Sequence, residues 1–353
     1  MEALLREIEA KASRYPEPLD TVFIGGGTPS TLPVPLWHRL LQALQGHFRF
    51  REPVEWTVEM NPESVTPDLL ALFRDFGIHR ISLGVQSAHD EELEILGRIH
   101  DRATAERAIS WIHEYGFENF NLDLIFGIPG QSLESWIRSL EWAVQQGPTH
   151  LSTYHLTIEK GSVFEQWFQQ GRLTLPDAQT VEAMYRVREE VLGAHGYQRY
   201  EISNFAKPGY ECRHNRIYWE HQEYLGLGPS AASFLYISDI SARRWRNVQD
   251  LLRYLQNPCF TEEDESLGIS ELITERIFLG IRLREGIPFR RAWIPEAVQP
   301  FVTWEKGRVR LNQDGVLVAD RIAVELVSAL EERGAIHAET LRFLGRRAPD
   351  PGA

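Results

Sequence analysis

The side chains of this chain that could do chemistry stand at the ends of short apolar runs. The stretch Thr21–Ser30, TVFIGGGTPS, carries a β-prone run (Val22, Phe23, Ile24) into three glycines, Thr28 and Pro29. A strand that ends in glycine lets a ligand come close to the backbone, because no Cβ stands in the way. The N–H groups of a turn through Gly26, Gly27 and Thr28 can then be offered to a carboxylate or a phosphate. Glu59 ends a second run, in EMNPE. It can accept hydrogen bonds from a ribose diol or an ammonium group, or form a salt bridge with a neighbour such as Arg98. Gln86 closes ISLGVQ and offers both a donor and an acceptor, to a ligand or to the backbone. Asp123 lies inside NLDLIFGIP among apolar residues, where a carboxylate is costly unless partnered; a structural hydrogen bond is the alternative. The densest polar and aromatic cluster is ECRHNRIYWE. There the His214 imidazole, with Asn215, Tyr218 and Trp219 nearby, could ligate a haem iron while the rings cover the macrocycle, or could simply pack.

These positions recur because strand and helix alternate. The apolar spacing predicts helices over 2–14, 35–48, 67–77, 90–96, 102–115, 133–146 and 178–194. It predicts strands over 21–24, 54–60, 80–85, 119–126, 151–158 and 200–205. Thr66-Pro67-Asp68 is a strong helix start: a capping threonine, proline at the first position, an acid in the first turn. Such alternation argues for a parallel sheet with right-handed crossovers. The strands read as mostly apolar throughout, as in a sheet covered on both faces. Polar residues at the C-terminal end of nearly every strand (Tyr154 and His155 among them) favour a barrel or partial barrel over an open doubly wound sheet.

The expected organisation is a partial β/α barrel over 1–207 and a connecting segment with the His214 cluster over 208–260. A smaller helical and winged domain over 261–345 and a disordered tail over 346–353 complete it. Beyond the barrel, Ser241–Leu255 reads as helix, Thr261–Ser266 (TEEDES) as a linker, and 270–282 and 321–333 as helices. The segments 308–311 and 316–318 flank Asn312-Gln313-Asp314-Gly315 as a hairpin.

The 353 residues carry 50 acidic against 37 basic side chains, a formal charge of −13, which argues against nucleic acid as a partner. No apolar run is long enough to cross a membrane, and the charged, amphipathic start is unlike a secretory signal. The two cysteines, Cys212 and Cys259, fit a reducing cytoplasm and no disulfide framework. Two thiols cannot build a three- or four-cysteine cluster site by themselves.

VFIGGGTPSTL, TVEMNPE, ISLGVQS, LGRIH, NLDLIFGIPGQ, TIEKGS and CRHNRIYW, in this order, resemble the radical S-adenosylmethionine proteins related to oxygen-independent coproporphyrinogen oxidase. The HNxxYW segment makes the resemblance closer to the HemW-type haem chaperones. The likeness runs from about residue 20 to the end and implies a partial (β/α) barrel of the radical SAM type with its first strand missing. It also implies an S-adenosylmethionine site in which Gly26, Gly27 and Thr28 approach the amino-acid portion, while Glu59, Gln86, Arg98 and Asp123 hold the remaining polar groups. His214 becomes the haem candidate, and the partners become haem-acceptor proteins, membrane-associated ones among them. The family opens with CxxxCxxC, whose thiolates hold a four-iron (4Fe-4S) cluster; that motif is not in this sequence. A start assigned too late accounts for this, as does a true loss of the cluster, and the cost of an uncovered sheet edge favours an incomplete chain. The alternatives are an oxidase-like enzyme of porphyrin synthesis, which needs the cluster, and a cluster-free ligand-binding relative.

Overall fold

The structure is a computed structural model that describes residues 1–345; the tail expected to be disordered lies outside the described residues. The chain runs α1 (Glu2–Arg14), β1 (Leu19–Ile24), α2 (Val34–His47), β2 (Phe50–Met60), α3 (Pro67–Asp75), β3 (Arg80–Gln86), α4 (Asp90–Ile95) and α5 (Arg102–Glu114). Next come β4 (Asn119–Phe126), α6 (Leu133–Gln145), β5 (His150–His155), α7 (Val163–Gln169), α8 (Ala178–Ala194), β6 (Gln198–Arg199), β7 (Asn204–Ala206) and α9 (Arg213–Trp219). The remainder is β8 (Ala232–Ser238), β9 (Ser241–Asn247), α10 (Leu251–Gln256), β10 (Thr261–Leu267), α11 (Ile269–Gly280), β11 (Ile287–Pro288), β12 (Val302–Glu305), β13 (Arg308–Leu311), α12 (Gln313–Val316), α13 (Ala319–Glu332) and α14 (Ala338–Leu344). These elements form two compact units, one from 20–38 and 53–212, the other from 1–19, 39–52 and 213–345.

The first unit is built on a seven-stranded sheet in the order β1-β2-β3-β4-β5-β7-β6, curled into the expected partial β/α barrel. Helix starts follow local chemistry: Thr66, Asp101, Ser132 and Asp177 each cap the helix that follows by accepting a backbone N–H. The run from β2 to β5 is parallel throughout. The expectation of one last parallel strand over 200–205 does not hold. Two short strands, β6 and β7, pair antiparallel, and β7 runs antiparallel to β5. With only a few residues between the strands, the chain can return as a hairpin and cannot make a crossover.

The expectation of mostly apolar strands, not cleanly alternating outside the run 54–60, is also corrected. Within β2 to β5, side chains alternate with period two, and register lines them up across strands: Thr57 beside Arg80, Ser82 beside Asn121, Asn121 beside His150, Asp123 beside Ser152. The apolar set is Trp56, Val58, Ile81, Leu83, Phe120, Leu122 and Phe126, all nearly inaccessible. It faces the helices, where Phe126 meets Trp136 of α6 at 5.3 Å between ring centroids and Phe120 meets His113 of α5 at 5.0 Å. The opposite face carries Glu55, Thr57, Glu59, Arg80, Ser82, Asn121, Asp123, His150 and Ser152. The concave side of the half-barrel is therefore a wall of hydrogen-bonding groups.

The second unit holds two three-stranded sheets, β10-β9-β8 and β11-β13-β12. Ser241–Asn247 is a strand where a helix was expected, and TEEDES is a strand where a linker was expected. The two errors have one cause. The acidic run lies antiparallel to the arginine-rich SARRWRN, and Arg243–Asp264, Arg244–Glu265, Arg246–Glu263 and Arg253–Glu262 neutralise it. Such exposed pairs contribute little singly: Asp264→Ala should cost less than about 1 kcal/mol by urea unfolding. The hairpin lies earlier than expected too. It joins β12 to β13 through Lys306 and Gly307, both at positive φ (+51° and +77°), as a tight two-residue turn requires. Asn312 instead caps α12 by accepting the Gly315 N–H at 2.9 Å. Gly315 serves close packing, since a Cβ there would sit 2.0 Å from the Phe301 carbonyl oxygen.

Candidate functional site

The rim of the first unit is assembled from the strand ends. Gly26 donates its N–H to Glu59 Oε2 at 3.0 Å, and Asn61 Nδ2 donates to Thr28 Oγ1 at 3.0 Å. These two bonds tie the glycine turn to the end of β2. Gly26 and Gly27 have φ of +90° and +63°, with open space where a Cβ would point, so the turn is cleared for something else to approach. Gly25 has the opposite reason to be glycine: a Cβ there would lie 2.6 Å from the Glu59 carboxylate.

Gln86 ends β3 in the left-handed region, at φ +72°, after a register shift. That conformation is rare for a residue with a side chain. Gly84 makes room for it, since a Cβ on Gly84 would meet Gln86 Nε2 at 2.8 Å and Asn61 Oδ1 at 3.0 Å. Glu59, Arg98 and Asp123 share one electrostatic neighbourhood. Desolvation raises the Glu59 carboxyl above its ordinary value, opposed by the Gly26 N–H and reinforced by Asp123. Desolvation lowers Arg98, while the pull of Glu63 and Asp123 works against it. The neighbour that the sequence offered Glu59 is thus coupled to Glu63 and Asp123. Asp123 is pushed up by desolvation in spite of hydrogen bonds from Ser152, Asn121 and Ser82 and the attraction of Arg80. Inside the strand it has the structural hydrogen bonds that a buried carboxylate needs, and it lies on the concave face of the sheet. Tyr154 leaves 44% of its surface exposed, yet desolvation and Asp123 raise its hydroxyl. His155 lies over Gly127, where a Cβ would come within 2.8 Å of the ring.

Several residues that sequence reasoning passed over hold this rim. Buried Glu92 on α4 accepts from Ser87 Oγ at 2.5 Å and from Gln131 Nε2 at 3.0 Å, and also from the Ser135 hydroxyl. Gln131 turns its oxygen to the Gly127 N–H at 2.8 Å. One carboxylate so braces the loop after β3 against the loop after β4. His100, of LGRIH, joins the Val85 carbonyl at 3.0 Å to Glu63 at 3.2 Å, which fixes the chain just before Gln86. The signal was present: Glu92 follows Ser87 by five residues, and His100 sits two after Arg98.

His214 lies in the other unit, on α9, half-buried, with Nε2 3.0 Å from the Tyr218 hydroxyl one helical turn on. Their rings meet edge to face at 5.3 Å, and Tyr218, 40% exposed, meets Tyr224 at 4.7 Å. Tyr224 stacks near Phe234 at 6.1 Å, and Phe234 contacts His221 at 4.6 Å. An imidazole at one end of an aromatic row suits a large flat apolar ligand. The cysteines belong to different units. Cys212 is buried, its thiol 3.5 Å from Glu55, while Cys259 is exposed. Among the described residues no three His, Cys, Asp or Glu side chains converge as metal ligands, so these residues do not fit a thiolate-held cluster.

The fold has a known counterpart. Coproporphyrinogen III oxidase (HemN) from Escherichia coli, described as a radical SAM enzyme, superposes with a TM-score of 0.76 over 93% of this chain and 82% of its own, at 21% identity. The profile of the Radical SAM superfamily matches residues 2–143. Fold and profile together define the class, a radical SAM-type half-barrel. Within it, the haem chaperone HemW of Synechocystis sp. is 38% identical over 289 residues, 81% of this chain and 70% of that protein. HemW of Mycobacterium tuberculosis is 34% identical over 324 residues, 90% and 82% of the two chains. The chain belongs to the HemW family of radical SAM proteins.

Proposed function

We propose that this chain carries haem and passes it to haem-requiring acceptor proteins, membrane-associated ones among them, with His214 as the ligand to the iron. The observation that carries the reading is the half-buried His214 paired with the exposed Tyr218 at the end of the aromatic row, in a family of haem chaperones. Haem titration followed by Soret absorbance tests it. His214→Ala should weaken haem binding by about tenfold or more, and an unchanged affinity would remove His214 as ligand.

The first unit is the S-adenosylmethionine site in this reading. Gly26, Gly27 and Thr28 face the amino-acid portion across the cleared turn. Glu59 and Asp123 accept from ammonium or ribose hydroxyls, Arg98 meets a carboxylate, and Gln86 supplies a donor and an acceptor. The two positive-φ glycines with open space beside them, opposite two desolvated carboxylates, support this fit. Such a nucleotide supplies a sulfonium centre when bound; the chain's own part is to orient it and keep water from its polar groups. A four-iron cluster is a different matter. These 353 residues contribute two cysteines in two units, and no step is assigned to a cluster here. Anaerobic loading with iron and sulfide should leave iron well below stoichiometric; four irons per chain would overturn that assignment.

A further inference from the structure

Below the rim, the concave wall contains one continuous string of buried polar groups that the binding site itself does not account for. Asn121 Nδ2 lies 2.8 Å from Asp123 Oδ1 and 2.8 Å from Ser82 Oγ. On its other side, Asn121 Oδ1 lies 2.7 Å from His150 Nδ1 and 3.2 Å from Ser152 Oγ. His150 Nε2 lies 2.9 Å from the Tyr200 hydroxyl. His150 is 1% exposed and Asn121 1%.

Donor and acceptor rules leave one arrangement. A carboxylate only accepts, so the amide nitrogen of Asn121 faces Asp123 and the amide oxygen faces His150. A carbonyl oxygen only accepts, so His150 carries its proton on Nδ1. A neutral ring with Nδ1–H has Nε2 free to accept, and the Tyr200 O–H donates to it. The ring is neutral because burial, and then the nearby Arg80 guanidinium, hold it well below the ordinary imidazole value. Each group keeps its own proton, and no transfer is needed.

We propose that His150, held as the Nδ1–H tautomer between the Asn121 oxygen and the Tyr200 hydroxyl, is a positioning residue that steadies the Asn121 amide and thereby sets the Asp123 carboxylate towards the ligand. The role rests on the reading of the rim as an S-adenosylmethionine site. Without the Nδ1–H donor, Asn121 Oδ1 keeps only the longer bond from the Ser152 hydroxyl at 3.2 Å, and the amide is held less firmly with its nitrogen towards Asp123. Other charged or titratable groups facing Asp123 are Glu59 from β2, Arg80 from β3, Arg98 from the loop after α4 and Tyr154 from β5; Arg80 also faces His150.

The test combines nitrogen NMR of the histidine ring with calorimetric binding of S-adenosylmethionine. In the intact ligand-free chain, the His150 ring should show a protonated Nδ1 and a bare Nε2; the opposite tautomer, or an imidazolium near neutral pH, overturns the proposal. His150→Phe should lower affinity by about tenfold. His150→Gln, whose amide can again donate to Asn121, should recover most of it. Tyr200→Phe keeps the ring, removes the hydrogen bond to Nε2, and should shift the Nε2 signal while the proton stays on Nδ1, with a smaller loss of affinity. Wild-type affinity in both His150→Phe and Tyr200→Phe overturns the positioning role. A chain with the Nδ1–H tautomer that binds no S-adenosylmethionine supports the orienting string and overturns only the identity of the ligand.

Discussion

Asp123→Asn should lower S-adenosylmethionine affinity by about one to two orders of magnitude while raising the melting temperature at neutral pH. The first half follows from removing a charged acceptor, since hydrogen bonds to ionised groups outweigh neutral ones. The second half follows from the carboxyl's own cost. Desolvation raises Asp123 above its ordinary value of 3.8, so the folded chain binds that proton more tightly than the unfolded chain does. Stability from this group is therefore fully present at pH below 3.8 and is lost as pH rises through the raised folded value. The amide does not ionise and escapes that loss, while its oxygen can still accept from Asn121. The difference in melting temperature between variant and parent should vanish in acid and open as pH rises. A variant that melts several degrees lower at pH 7 would show that the lost charge interactions with Arg80 outweigh desolvation.

Glu7→Leu should destabilise the second unit by about 3–5 kcal/mol, the range for breaking one partner of a buried ion pair. Glu7 is fully inaccessible and Lys11 is 6% exposed, and they pair at 2.7 Å along α1. The Glu7 carboxylate also accepts from Asn247 Nδ2 at 2.6 Å, the Gly228 N–H at 2.8 Å and the Tyr254 hydroxyl at 2.6 Å. Lys11 reaches the Gly226 carbonyl at 2.7 Å and Asn247 Oδ1 at 2.9 Å. Leucine strands a buried ammonium together with an N–H and an O–H. Glu7→Leu with Lys11→Met removes both charges and should recover a large part of the loss. Urea unfolding measures both, and a single-variant cost under about 1 kcal/mol would mean that water reaches the pair.

Strand positions and their chemical endings were legible because they are local. Glu59, Gln86 and Asp123 announce themselves as polar residues closing or interrupting apolar runs, and Thr66-Pro67 fixes its helix without help. What stayed hidden was pairing at a distance. TEEDES looks like a solvated linker until SARRWRN lies beside it, and the two-residue strands β6 and β7 have no periodicity to show. Asn121 reads as an ordinary member of its strand and His150 stands just before the strand expected over 151–158; only register places one beside the other. The alternation along β2 shows in its letters; along β3 to β5 it was there too, but reading those strands for overall apolarity averaged it away. Glu92 and Gln131 were missed for another reason: only Ser87 lies near Glu92 in sequence, while the Glu92–Gln131 and Glu92–Ser135 bonds span 39 and 43 residues.

Because parity alone decides whether a residue of β2 to β5 looks at a helix or at the cavity, these strands behave like text in a fixed frame. Losing one residue from the middle of β3 would send Arg80 into the aromatic layer and bring Ile81 to the ligand side, reversing both surfaces in a single event. The connections tolerate changes of length; the strands accept only changes of letter.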